Sequence, residues 1–150
     1  MTNKIAIIIG ASHAAAQLTT SLRQEGWEGD ILVIGDEPYL PYHRPPLSKT
    51  FLSGDKTIED LFIRPAAFYE KNNIQFKQGH VTAINRPQQT LTLSDGTNLS
   101  YDKLALCMGA RVRKASIVGE ELAGVYYLRN IADVKGIQPY VAKDKRAVII

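Results

Sequence analysis

Gly10, Ser12 and Ala15 stand at the spacing of a relaxed G-x-G-x-x-G/A turn. The chemistry such a turn performs is the holding of a dinucleotide pyrophosphate. The first position needs glycine for the tight turn. The second needs a tiny residue so that backbone N–H groups can approach the phosphates, and the third a small residue so that helix and strand pack closely. The helix that follows turns the positive end of its dipole towards the anion. Ser12 departs from glycine, so it either crowds the pyrophosphate slightly or offers it a hydroxyl. Two acids, Asp36 and Glu37, follow about 20 residues after Ala15, where a carboxylate would bond ribose hydroxyls and argue against a 2′-phosphate. On these residues alone, an ordinary strand-to-helix turn and a solvated acidic turn stay open.

Other residue types set bounds. The 150 residues hold one cysteine, Cys107, so an intrachain disulfide, a thiolate metal cluster and a CxxC redox pair are all excluded. The expectation is a reducing, cytoplasmic setting. His13 is a lone histidine with no second ligand in register. A net charge of +3, with scattered basic residues, does not argue for nucleic acid; an anionic cofactor accounts for it as well. Lys4 and the run Ile5 to Ile9 could open a signal peptide, but Gly10, Ser12 and His13 interrupt it early. No apolar run approaches the roughly 20 residues of a membrane helix.

The elements that must position these groups are legible in turn. Ile5–Ile9 is β-branched and apolar on both faces, as a central parallel strand is. A helix to about Glu25 places Ala14, Leu18 and Leu22 on one face, and Gly26 stops it. Ile31–Ile34 is a second buried strand, which completes a β-α-β unit. Pro38 to Pro46 is dense in proline and aromatics and reads as a long, rigid, functional loop. A helix resumes at Pro46–Lys49, another spans Pro65–Asn72, and Ile74–Phe76 is a short strand. From Val81 the period becomes two: Val81, Ala83 and Asn85 alternate, as do Leu91 and Leu93, with turns at 85–88 and 94–97. This is an antiparallel meander inserted in an α/β unit. Leu104–Cys107 is a further strand, followed by the loop 108–111. Residues 131–142 are a helix weakened by Gly136 and Pro139, and residues 146–150 read as the start of a buried strand cut from a longer protein.

The string Pro41-Tyr42-His43-Arg44-Pro45-Pro46-Leu47-Ser48-Lys49, preceded by Gly35-Asp36-Glu37-Pro38, resembles the motif of bacterial FAD-dependent ferredoxin and rubredoxin reductases. The likeness continues through Leu61-Phe62-Ile63-Arg64-Pro65, Val81-Thr82-Ala83-Ile84-Asn85, Ser94-Asp95-Gly96, Tyr101-Asp102-Lys103-Leu104 and Tyr127-Leu128-Arg129. It covers nearly the whole chain in order. The resemblance implies a Rossmann-like FAD-binding domain over residues 1–145, and at 146–150 the first strand of an NAD-binding domain. It places Gly10, Ser12, Ala14 and Ala15 around the FAD pyrophosphate and Asp36 with Glu37 at the adenosine ribose. Arg44 and Lys49 would contact the flavin side, Lys49 near the ring, where a cation stabilises the reduced anion. Val81 would give its backbone to adenine, Gly109 would match the glycine of the family's Ala-Thr-Gly loop, and Arg129 would reach the cofactor. Cys107-Met108-Gly109 replaces Ala-Thr-Gly, so a threonine hydroxyl contact is lost.

The implied activity is electron transfer from NADH, or NADPH, through FAD to a ferredoxin or rubredoxin. The cysteine pair of disulfide reductases, expected between Pro38 and Lys49, is missing from this sequence. Alternatives are an NADH oxidase, a monodehydroascorbate-type or apoptosis-inducing-factor-like flavoprotein, or a non-catalytic nucleotide-binding module.

Overall fold

The computed structural model describes residues 4–150. They form two compact units, residues 4–42 with 62–109, and residues 43–61 with 110–150.

In the first unit, β1 (Ile5–Ile9), β2 (Asp30–Gly35), β3 (Ile74–Gln78) and β7 (Lys103–Leu106) make a parallel sheet in the order β3-β2-β1-β7. β1 is central, as its two apolar faces require: Ile7, Ile8 and Ile9 are all buried. Ile8 packs with Ala15, Ile31, Val33, Tyr69 and Ile74 on one side of the sheet. Ile7 and Ile9 pack with Ile34, Leu91, Leu93 and Tyr101 on the other. Asp102 ties the sheet at its start, since its carboxylate accepts the Ile5 N–H at 2.7 Å and its own N–H donates to the Ile5 carbonyl.

The helix α1 spans His13–Gln24. Its buried face is Ala15, Ala16, Thr19 and Thr20, with Leu18 and Leu22 half-buried and Ala14 exposed, so the expected Ala14–Leu18–Leu22 stripe is only its margin. The threonines suit burial because their hydroxyls donate back to the Ala16 carbonyl, at 3.0 and 2.9 Å. Gly26, at φ +83°, ends the helix. Its N–H reaches the Arg23 carbonyl and that of Trp27 the Leu22 carbonyl, the paired bonds of a Schellman stop. Arg23 then fastens α1 to its surroundings, donating to the carbonyls of Trp27, Gly29, Asn72 and Asn73.

A short α2 (Ala66–Lys71) leads into β3. The meander β4 (Val81–Asn85), β5 (Thr90–Leu93) and β6 (Asn98–Ser100) is antiparallel and lies in sequence between β3 and β7. Leu91 and Leu93 turn inwards as their alternation requires. In β4 the alternation is not kept: a register shift between Val81 and Ala83 leaves only Val81 packed on the core, and Ile84 is exposed.

The second unit is sparser. Pro45–Ser48 is a single 3₁₀ turn rather than the expected α-helix. A second 3₁₀ turn covers Glu59–Leu61. α3 (Ile131–Ile137) begins with a full capping box, Asn130 accepting from the Asp133 N–H and Asp133 from the Asn130 N–H. It stops at Ile137 instead of running to 142, passing into a 3₁₀ turn at Gln138–Tyr140 that contains Pro139. Residues 146–150 form no strand: they are exposed, and among the described residues no strand pairs with them.

Candidate functional site

The turn after β1 is pinned on both sides within the first unit. The Gly10 N–H donates to the Ile34 carbonyl of β2 at 2.7 Å. Gly10 has φ +102°, and a Cβ there would strike the Cys107 carbonyl and lie 2.8 Å from the Met108 Cα. Only glycine fits both the dihedral and the approach. Ser12 neither crowds the space over the turn nor offers its proton outwards: its hydroxyl donates to the Cys107 carbonyl at 2.8 Å. It therefore leaves the start of α1 without a side-chain cap, while its carbonyl accepts the Ala16 N–H. The N–H groups of Ala14 and Ala15 have no acceptor among the described residues. Ala15 is fully buried between helix and sheet. Uncapped amides at the start of a 12-residue helix, above a glycine turn, suit an anion such as a pyrophosphate.

β2 ends against this turn. A Cβ on Gly35 would lie 2.8 Å from the Ala11 Cβ, a close approach that sequence reasoning missed. Next to it opens a cavity of about 270 Å³ lined by residues that include Ala11, Gly35, Glu37, Tyr39, Phe76 and Lys77. The two acids differ. Glu37 lines the cavity, and its Oε2 accepts the Tyr42 hydroxyl at 2.6 Å. Asp36 is exposed, with its carbonyl accepting from the Gln78 side chain. Val81 opens β4 with its side chain on the core and does not line this cavity. Gly109 takes φ +65° in the loop after β7. Burial pushes the Cys107 thiol above its usual pKa, which suits an inert, half-buried residue.

Arg44, Lys49 and Arg129 belong to the second unit. Arg44 donates to the Arg129 carbonyl at 2.7 Å, and the Arg129 N–H donates to the Asp133 carboxylate at 2.8 Å. The capping acid of α3 thus also fixes the backbone on which Arg44 rests. Lys49 closes the 3₁₀ turn through its backbone, donating to the Pro46 carbonyl, and its side chain is exposed. No cluster of three or more His, Cys, Asp or Glu among the described residues could hold a metal ion. No helix among them is long and apolar enough to cross a membrane.

A parallel sheet with a glycine turn, a helix start open to an anion and an acid at the end of the next strand match the pattern of a dinucleotide-binding α/β unit. The family model described as pyridine nucleotide-disulphide oxidoreductase matches residues 4–150, and the chain belongs to that family. The chain is 38% identical over 149 residues to a probable ferredoxin reductase, CtmF, of Castellaniella defragrans, covering 99% of this chain and 36% of that protein. To putidaredoxin reductase CamA of Pseudomonas putida it is 39% identical, again over 99% of this chain and 36% of the relative. Among solved structures, a ferredoxin reductase for the CYP199A2 system from Rhodopseudomonas palustris superposes with a TM-score of 0.84 at 36% identity, over 91% of this chain and 34% of that one. The chain thus spans about a third of the length of the relatives it matches. The resemblance to ferredoxin and rubredoxin reductases holds, and a family of this description implies a flavin and a nicotinamide nucleotide.

Proposed function

We propose that this chain is the FAD-binding portion of a cytoplasmic, NAD(P)H-dependent reductase of a ferredoxin or rubredoxin. The observation that carries the reading is the pinned Gly10–Ala15 turn, with two open amides, beside a cavity that Glu37 lines. The names of the relatives supply the reaction. In this reading Gly10, Ser12, Ala14 and Ala15 surround the pyrophosphate and Asp36 with Glu37 serve the adenosine ribose. Ser12 acts through its clasp on Cys107 rather than by touching phosphate. Val81 gives its backbone to the adenine. Gly109 serves the loop after β7. Arg44, Lys49 and Arg129 serve the flavin side, with Arg44 held by the Arg129 carbonyl. Residues 1–145 would form the FAD-binding domain and residues 146–150 would open the NAD-binding domain. When bound, the flavin accepts a hydride from the nicotinamide and releases single electrons. These 150 residues hold a single cysteine, so they carry no disulfide relay of their own.

The test is a titration of the purified protein with FAD, followed by flavin fluorescence and by the visible spectrum. Saturable binding, weak for residues 1–150 alone, is expected. Unchanged fluorescence at every concentration would overturn the reading. NADH oxidation by the whole protein should be faster with ferredoxin or rubredoxin than with oxygen; the reverse order would favour an NADH oxidase.

A further inference from the structure

We infer that Tyr42 is a positioning residue of the nucleotide site, its hydroxyl orienting the Glu37 carboxylate towards the ribose hydroxyls of the adenosine. The inference rests on the FAD reading above and deepens it. Three features of the first unit carry it.

The first is the bond itself. The Tyr42 hydroxyl donates to Glu37 Oε2 at 2.6 Å, the length of a charge-assisted O–H···O⁻ bond. Glutamate is long and rotamer-rich, so an unguided carboxylate would lose much of its freedom when it met a ligand. A bond made beforehand removes that loss. It also leaves acceptor capacity, since a carboxylate offers about four lone-pair sites.

The second is the rigidity of the donor. Tyr42 is only 4% exposed. Its backbone makes an antiparallel bridge with Phe62, and the Ile63 N–H donates to the neighbouring Pro41 carbonyl at 2.9 Å. Tyr39 meets its ring edge-on, with centroids 6.4 Å apart. Pro38 and Pro41 stiffen the four residues between acid and phenol. The proline-rich loop thus has a specific task, to hold a phenol at a fixed place behind an acid.

The third is the place of the acid. Glu37 lines the cavity together with Ala11 and Gly35, the residues of the phosphate turn and of its close approach to β2. A carboxylate there accepts hydroxyl donors and repels a 2′-phosphate, so the device selects an adenosine with free ribose hydroxyls.

The test titrates the protein with ADP and with 2′,3′-dideoxy-ADP, followed by heteronuclear NMR, which reads weak binding. Wild type should prefer ADP by about tenfold, the worth of a charge-assisted bond. Tyr42→Phe keeps the ring and its packing, and should weaken ADP about tenfold while changing the dideoxy ligand by less than about twofold. Glu37→Ala should lose the same preference, and adding Tyr42→Phe to it should cost nothing more, whereas two independent structural effects would add. A Tyr42→Phe protein that keeps the preference overturns the inference and leaves the FAD reading standing. Additive losses overturn it likewise. If Tyr42→Phe does not fold, the intermediate variant Tyr42→His, which retains a ring donor, must keep a preference for ADP that Glu37→Ala lacks, or the inference falls. A wild type that binds neither nucleotide overturns the FAD reading and the inference together.

Discussion

Replacing Tyr69 with phenylalanine should stabilise the protein, and more so as the pH rises. Tyr69 is 2% exposed, set between α2 and the parallel sheet, and its hydroxyl has no hydrogen-bond partner among the described residues. Its ring makes edge-on contacts with Phe68 and Phe76, at 5.4 and 4.9 Å between centroids, which phenylalanine would keep. A buried hydroxyl without a partner costs about 1–3 kcal/mol, so Tyr69→Phe should gain about 1 kcal/mol at pH 7, or about 3 °C in Tm for a chain of this size. Burial pushes the phenol pKa up to about 12, against a weaker downward pull from Arg64. The folded state therefore keeps the proton when the unfolded chain has begun to lose it. Below pH 10 both states are protonated and stability does not depend on this group. From pH 10 to about 12 the wild type loses about 1.4 kcal/mol per pH unit, roughly 2.7 kcal/mol in all, that the variant does not lose. Urea unfolding of both proteins from pH 7 to 12 gives the difference directly, since the other tyrosines and the lysines titrate in both. A variant less stable than wild type at pH 7 would mean that the hydroxyl has a partner. Parallel stability curves up to pH 12 would mean that the phenol is not desolvated. Either result refutes the reasoning.

Gly10→Ala should lower stability by about 3 kcal/mol or more, because the strained φ and the collision with Cys107 act together; the urea midpoint reads it. Arg23→Lys keeps the charge but cannot reach the carbonyls of Trp27, Gly29, Asn72 and Asn73 at once, and should cost about 2 kcal/mol. Amide exchange should then quicken at the end of α1 and around Asn73. Ser12→Ala removes the clasp on Cys107, at a cost of about 1 kcal/mol, and a disulfide reagent should then modify the Cys107 thiol faster than in wild type.

What the sequence discloses here follows the range of the interaction. Ile5–Ile9 and Ile31–Ile34 are legible because a strand buried on both faces must be apolar throughout, and Gly26 because a helix stop needs φ > 0 locally. The burial of Thr19 and Thr20 escapes a hydrophobic pattern, since their hydroxyls are satisfied by the helix's own carbonyl and so cost little to bury. The two side chains that do most to fix the turn and the helix end, Ser12 and Arg23, bond to backbone carbonyls distant in sequence. A carbonyl is present at every residue, so no residue type marks the acceptor, and only the fold shows which ones are reached. Residues 146–150 illustrate the converse: their composition suits a strand, but a strand exists only as half of a ladder.

The family string from Pro41 to Lys49 shows how these ranges combine. Pattern alone reads it as a rigid loop. Its Tyr42 points back to an acid five residues earlier, and its Arg44 reaches the Arg129 carbonyl at the far end of the chain. A loop that must hold a nearby acid in one unit and a distant carbonyl in the other cannot follow helical or strand periodicity, and it needs a shape that does not relax when one contact is lost. Prolines provide that shape by fixing φ, with no N–H to donate. The same density of prolines that bars regular secondary structure is therefore what lets the loop hold a phenol and a guanidinium at fixed positions within their respective units, and this makes it the part of the chain where substitution should alter binding more than folding.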